Sequence, residues 1–385
     1  MAGMADTNAL TRDELNRYSR QIMLPQLGME GQQRLKDARV LVMGAGGLGS
    51  PALLYLAAAG VGTIGIVDDD VVDVSNLQRQ VIHRTADAGR AKTTSAAEKL
   101  RALNPAATII EHQLRLTSEN ALEVFGGYDI VLDGTDNFPT RYLVSDAAEI
   151  LGMPCVWGSI FQFAGQVAVF HGGHGPTYRD VFPQPPAPGT VPSCAQGGVV
   201  GVLPGLVGTA MANEAIKVIT GVGRSLLGRL VVLDALDFTW RELPIAPDPS
   251  REPVRELGDY EAFCGTAPQP TPASEDEDAV SVRQLADLLA ARAAGEVDFD
   301  LVDVREVGEH EIVNIEGARL VPLGGFLSGE VTLDPARDVI VHCRTDVRSR
   351  QARNALLAAG HPSVRWVRGG VLAWVDEIEP DKPTY

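Results

Sequence analysis

The 385-residue sequence is poor in cysteine and in long apolar runs, and its basic residues are outnumbered. Its four cysteines stand at 155, 194, 264 and 343. They are too few and too scattered for a disulfide framework, and no two form a Cys-x-x-Cys pair. The opening MAGMADTNALTRDELNR has no apolar core of the signal-peptide kind, which argues against secretion. The longest apolar stretch, 197–212, is shorter than the ~18 residues of a membrane span. It also carries five glycines and Pro204, so it is read as a buried helix with its lead-in. These absences lead us to expect a cytoplasmic protein without a membrane segment. Lys plus Arg total 33 against 50 for Asp plus Glu, a formal charge of −17. Such a balance repels long polyanions and argues against nucleic acid as the main partner. It leaves room for a single nucleotide in a local arginine pocket.

Apolar residues make up 45% of the chain, enough for a sizeable core, and at about 150 residues per domain the length implies two or three domains. Residues 266–278 read TAPQPTPASEDED, three prolines followed by four consecutive acids. Proline stiffens such a segment and like charges extend it, so we place a linker there, between domains 1–265 and 279–385. A second irregular stretch, 171–198, is too long for an ordinary connection and is assigned to function or mobility.

The N-terminal part alternates strands with amphipathic helices. Strands are expected at 39–43, 63–67, 108–112 and 129–133, and helices at 48–59 and 92–103. That alternation implies parallel βαβ units and a doubly wound α/β sheet. Beyond Pro154 the pattern changes to strands of a meander within 156–171 and 229–242, with an apolar helix at about 202–220 between them. The C-terminal part, with DFDLVDV, RDVIVHC and VRWVRGG separated by helices, forms a second and smaller α/β unit.

Strand RVLVM runs into Gly44-Ala45-Gly46-Gly47-Leu48-Gly49 and then a helix. This is Gly-x-Gly-x-x-Gly in the strand–turn–helix setting that lets a backbone approach phosphate at a helix N-terminus. Asp68 ends the next strand, where a carboxylate commonly holds ribose hydroxyls. Dinucleotide dehydrogenases share these features, so taken alone they leave a NAD enzyme open. The following residues do not suit one. Asp68-Asp69-Asp70 leads to Ser75-Asn76-Leu77-Gln78-Arg79-Gln80, then Lys92, then Asp133-Gly134-Thr135-Asp136-Asn137. Asn76, Arg79 and Lys92 can neutralise a triphosphate, and Asp136 can hold Mg²⁺ beside its phosphate oxygens. Asp70 and Asn137 belong to the same candidate nucleotide site. Any one of these residues could be a solvated charge or a helix cap; as a converging set they read as a site.

Cys343 follows strand DVIVH and opens Cys343-Arg344-Thr345-Asp346-Val347-Arg348-Ser349, which enters a helix. A thiol facing a helix N-terminus beside arginines is activated as a nucleophile, and the loop's N–H groups could cradle a persulfide anion. The alternative is a buried structural cysteine. Cys155, in the apolar MPCVW run, is read as core.

The set DDD…SNLQRQ…Lys92…DGTDN, preceded by Arg17-Tyr18-Ser19-Arg20-Gln21, resembles the adenylating domain of the MoeB/ThiF family over about 11–264. The resemblance implies ATP binding by Gly46, Asp68, Asn76, Arg79, Lys92 and Asp136. It implies a homodimer in which Arg20 reaches the nucleotide of the other subunit. The 279–385 segment resembles rhodanese domains through the Cys343 loop, Asp303-Val304-Arg305-Glu306 and Ile315-Glu316-Gly317-Ala318, departing from them at Asn314, where histidine is usual. It implies that Cys343 carries sulfane sulfur. The fusion as a whole is similar to MoeZ-type adenylyltransferase/sulfurtransferases. The implied activity is ATP-dependent adenylation of the C-terminal glycine of a ubiquitin-fold sulfur carrier ending in Gly-Gly. A sulfur donor such as a cysteine desulfurase or thiosulfate would then load Cys343, and the carrier thiocarboxylate would feed molybdopterin, thiolated tRNA or cysteine synthesis. The resemblance places at Cys194 a thiol able to form a thioester or disulfide with the carrier; an unreactive loop thiol is the alternative. Many relatives hold zinc with two Cys-x-x-Cys pairs. Here those positions are Thr177, Asp180, Glu261 and Cys264, so no structural zinc is expected. Three rivals stand beside this reading: a NAD(P) enzyme with a regulatory rhodanese-like module, a non-catalytic scaffold, and a ubiquitin-like activating enzyme working through a Cys194 thioester.

Overall fold

The computed structural model describes residues 9–186, 198–265, 278–331 and 333–385. Cys194 and all of the linker except Asp278 lie outside the described residues. The chain divides into two compact units, Met1–Ala267 and Pro268–Tyr385.

In the first unit, strands β1 (Arg39–Met43), β2 (Thr63–Val67), β3 (Thr108–His112), β4 (Ile130–Asp133), β5 (Cys155–Phe161), β6 (Ala164–Phe170), β7 (Arg229–Asp234) and β8 (Thr239–Pro244) form one sheet. The strand order is β3-β2-β1-β4-β5-β6-β7-β8. The pairs from β3 to β5 are parallel and those from β5 to β8 antiparallel. The helices are α1 (Arg12–Ile22), α2 (Gly28–Asp37), α3 (Gly49–Ala59), α4 (Lys92–Leu103), α5 (Ala121–Phe125), α6 (Phe138–Ile150), α7 (Tyr178–Val181), α8 (Val202–Thr220) and α9 (Tyr260–Phe263).

Side chains alternate across a strand. In β1, Val40 and Val42 enter a core shared with α3, α4 and α8, while Leu41 and Met43 enter one shared with α5 and α6. β4 divides likewise, with Ile130 and Leu132 on one face and Val131 on the other. Burial on both faces is why these strands read as unbroken apolar runs. Each fully buried Val or Leu contributes about 1.5–3 kcal/mol by leaving water. Among the described residues, α8 alone is long and apolar enough to cross a membrane. Its Leu203, Val207, Met211, Ala212 and Ala215 are buried in the sheet's core, as expected for a core helix.

In the second unit, β9 (Ala279–Val280), β10 (Asp300–Asp303), β11 (Arg319–Leu320), β12 (Val339–His342) and β13 (Val364–Val367) form a parallel sheet of order β11-β10-β12-β13-β9. Helices α10 (Val282–Ala293), α11 (Val307–Ile312), α12 (Leu323–Leu327), α13 (Val347–Ala358) and α14 (Gly370–Glu377) pack around it.

Candidate active site

Strand order reverses between β1 and β4, and in such sheets ligands sit beyond the C-terminal ends of the strands at that point. A cavity of about 500 Å³ opens there. It is lined by Gly44, Gly46, Asp68, Asp70, Arg79, Lys92, Asp136 and Asn137 of the expected set. Gly49, Asn76 and Arg20 do not line it. Gly49 serves packing: a Cβ on it would come within 1.8 Å of the Gly44 carbonyl oxygen, so only glycine lets α3 start so close to the loop.

The groups at the cavity are held by one another. Asp68 accepts from the N–H of Ala45 at 2.8 Å and of Asp70 at 2.9 Å. Burial pushes its carboxyl up, against the pull of Lys92 and the two N–H donors. Lys92 is buried along its stem and donates to Asp70 Oδ2 at 2.7 Å. Arg79 donates to the Ser75 carbonyl at 3.2 Å and is half-buried. Behind the loop, His83 Nε2 donates to the Ala45 carbonyl at 2.9 Å, because that oxygen can only accept. Its Nδ1 meets Ser95 Oγ at 2.9 Å, and burial pushes the imidazole down.

Asp136 is exposed, and its carboxylate has no partner among the described residues. A free carboxylate in a phosphate-sized cavity fits a hard cation. Asn137 is different: its side chain caps α6, accepting from Thr140 N–H at 2.9 Å, so the capping role weighed for these residues applies there.

The arginine motif of α1 divides in the same way. Tyr18 is buried and its hydroxyl accepts from Asn104 at 2.7 Å. Gln21 Nε2 donates to the Ala59 carbonyl at 3.0 Å. These anchors leave Arg20 exposed, away from its own chain's cavity.

Sequence reasoning assigned no role to Gln80 or Arg141, which also line the cavity. Gln80 is buried and its Oε1 has no partner among the described residues. Arg141 is buried, donates to the Thr135 carbonyl at 3.1 Å and lies one helical turn after Asn137. That i+4 spacing on α6 was the available signal.

The zinc positions of the resemblance hold other chemistry. Thr177 Oγ1 and N–H both donate to Asp180 Oδ2, at 2.9 and 2.6 Å. Asp180 Oδ1 pairs with Arg251 Nε at 2.8 Å, and Glu261 pairs with Arg115 at 2.7 Å. Cys264 is buried, and burial followed by the Glu261 charge pushes its thiol up to about 11. A hydroxyl, two paired carboxylates and one such thiol do not fit a tetrahedral structural zinc.

In the second unit, Cys343 directly follows β12 and is 1% exposed. Its Sγ lies 3.5 Å from Ser349 Oγ, which donates to the Asp346 carbonyl at 2.8 Å. The loop wraps Gly370: a Cβ there would meet the carbonyl oxygens of Thr345, Cys343 and Arg344 at 2.4, 2.5 and 2.6 Å. With those three carbonyls turned to one side, the intervening trans peptides aim N–H groups to the other, an anion-binding arrangement. Asp346 Oδ1 accepts from Gly369 N–H at 2.6 Å, and exposed Thr345 and Val347 complete the turn. Arg348 forms a two-bond pair with Glu309, and Arg344 donates twice to the main-chain oxygen of Tyr385. Cys155, read as core, is 3% exposed, and burial followed by the charge of Asp133 on the neighbouring strand pushes its thiol up.

The sequence matches the ThiF family over residues 18–254 and the Rhodanese-like domain over 284–377. It is 50% identical to "Probable adenylyltransferase/sulfurtransferase MoeZ" of Mycobacterium tuberculosis, covering 98% of this chain and 97% of that one. It is 56% identical to "Sulfur carrier protein adenylyltransferase" of Thermus thermophilus, over 66% of this chain and 98% of the other. It is 41% identical to "Adenylyltransferase and sulfurtransferase MOCS3" of Bos taurus, over 98% and 89%. Among solved structures, E. coli MccB with ATP superposes with a TM-score of 0.54 at 21% identity, over 62% of this chain and 74% of that one, which shows the fold alone. Matched in both domains, and half identical to a relative over nearly its full length, the chain belongs to the ThiF family, in the adenylyltransferase/sulfurtransferase branch that adds a C-terminal rhodanese-like domain.

Proposed function

We propose that this chain adenylates the C-terminal glycine of a small ubiquitin-fold sulfur carrier ending in Gly-Gly and then converts it to a thiocarboxylate with sulfur carried on Cys343. The observation that supports the reading most is the gathering of the glycine loop, Arg79, Lys92 and Asp136 around one cavity, in a chain that also presents the Cys343 loop. A hydride-transferring dinucleotide enzyme would have no use for those two cations and a free carboxylate.

A carboxylate cannot expel hydroxide, so the carrier must be activated. Its terminal oxygen attacks the α-phosphorus of ATP, pyrophosphate leaves, and an acyl-adenylate remains. Arg79 and Lys92 offset the charge gathering on the leaving pyrophosphate, and the loop N–H groups orient the triphosphate in line with the attacking oxygen. No side-chain base is required, because the attacking carboxylate is already ionised. Asp136 is the residue that would hold Mg²⁺, whose charge would offset phosphate oxygens when bound. Arg20 acts across a homodimer on the partner's nucleotide.

A persulfide on Cys343 then attacks the acyl carbon and AMP leaves. The resulting acyl disulfide is cleaved when a thiolate attacks Sγ of Cys343. A new disulfide forms and the carrier departs as thiocarboxylate. Cys194 is the internal candidate for that thiol.

ATP–pyrophosphate exchange tests the first half. The account expects exchange only with a carrier that keeps its terminal Gly-Gly. Arg79→Ala and Lys92→Ala should each lower the exchange rate at least 10²-fold. Both should leave thiosulfate-to-cyanide sulfur transfer at the wild-type rate. Exchange without carrier, or unaffected by both substitutions, would overturn the assignment.

A further inference from the structure

Tyr385 is 41 residues beyond Arg344, yet it is built into the sulfur loop. Its main-chain oxygen accepts from Arg344 Nε at 3.0 Å and Nη2 at 2.6 Å. The Arg344 guanidinium also lies 5.5 Å from the centre of the Tyr385 ring. On the other side, the Tyr385 hydroxyl accepts from Arg305 Nη1 at 2.7 Å and donates to Glu309 Oε1 at 2.9 Å. The same Glu309 carboxylate takes both bonds from Arg348, at 2.6 and 2.7 Å. Arg305 is itself tied down: it is fully buried, paired with Asp303 at 2.6 Å, and donates to the Val313 carbonyl at 2.8 Å. One half-buried tyrosine thus fixes both arginines of the 343–348 loop, one through its backbone and ring, the other through its hydroxyl and Glu309.

We infer that Tyr385 is a positioning residue for sulfur transfer, holding Arg344 and Arg348 where an anionic sulfur donor meets Cys343. This rests on the reading that Cys343 carries the sulfur. With thiosulfate, the Cys343 thiolate attacks the outer sulfur, a new S–S bond forms, the S–S bond of thiosulfate breaks, and sulfite leaves with the electron pair. Cyanide then takes the outer sulfur as thiocyanate and the thiolate is restored, so neither step needs an added reductant. The donor arrives as a dianion, and long arginine side chains left free would lose rotamer freedom on meeting it. Arginines already pinned avoid that loss, and the benefit falls on donor binding rather than on sulfur–sulfur exchange.

Steady-state thiosulfate-to-cyanide transfer by the full-length chain tests this. Tyr385→Phe, which deletes only the hydroxyl links, should raise KM for thiosulfate about tenfold with kcat within about twofold of wild type. Tyr385→Ala, which also removes the ring beneath Arg344, should raise KM further. ATP–pyrophosphate exchange should be unchanged in both, which serves as a check on the other unit. Wild-type KM in both variants would overturn the inference, as would lower kcat and Tm at unchanged KM, the mark of a merely structural role. Cys343→Ala separates the two readings: transfer surviving in it refutes the sulfur assignment, whereas an inactive Cys343→Ala with wild-type KM in the tyrosine variants refutes the positioning role alone.

Discussion

Asp133 ends β4 fully buried, with Oδ1 accepting from the N–H and Oγ1 of Thr135 at 3.0 and 2.7 Å. Burial is the larger effect and pushes its carboxyl up to about 6. Raised above its unfolded value, the folded state binds the proton more tightly between about pH 4 and 6. Stability therefore falls as pH rises through that window, and the cost persists at neutral pH. Asp133→Asn keeps the acceptor and removes the charge. Thermal unfolding of the two proteins should nearly coincide at pH 4 and diverge in the variant's favour by pH 7, by at most on the order of 3 kcal/mol. A pH-independent difference would contradict this. The motif Asp133-Gly134-Thr135-Asp136-Asn137 thus contains three uses of a carboxylate or amide: a buried strand end, a free group at the cavity, and a helix cap. Residue types and spacing announce the cluster; only burial and partners divide the roles. Gln80 stood inside a recognised motif without an assigned role for the same reason.

At the scale of elements, the strands and helices around the cavity were legible because burial on both faces leaves apolar runs and glycine punctuates them. The turn between β5 and β6 was less so. It places Gln162 at φ 53°, with no glycine or asparagine there to announce it. Ion-pair networks leave still less trace in sequence, because their partners come from distant segments. Arg251 Nη2 pairs with Glu149 at 2.8 Å and Nε with Asp180 at 2.8 Å. Arg179 pairs with Asp146 through two bonds at 2.7 and 2.8 Å, and Tyr260 donates to the same carboxylate at 2.7 Å. Together they tie 248–264 to α6 and α7, beside positions where many relatives carry zinc ligands. Arg251→Met leaves two largely buried carboxylates unpaired and should cost about 3 kcal/mol of stability, read from denaturant or thermal unfolding. Treatment with EDTA should leave the wild-type Tm unchanged. A fall in Tm on chelation would show a metal holding this region instead.

At the scale of the molecule, the chain divides into two compact units, Met1–Ala267 and Pro268–Tyr385, and the account gives each a separate half of the chemistry. The first gathers Arg79, Lys92 and Asp136 around a cavity at a sheet's switch point. The second buries a thiol at a strand end, with the loop's carbonyls turned to Gly370 and its arginines pinned. The Tyr385 links escaped sequence reasoning because nothing local connects a residue that far downstream to Arg344 or Glu309. The central claim is that adenylation and sulfur loading are separate steps performed on one carrier. Intact-mass analysis of a Gly-Gly carrier, after incubation with ATP, a sulfur donor and this protein, tests it most directly. The account predicts replacement of one carrier oxygen by sulfur with the wild type. With Cys343→Ala it predicts an unchanged oxygen-containing carrier and wild-type ATP–pyrophosphate exchange. Thiocarboxylate formed by Cys343→Ala, or exchange lost with it, would contradict the account.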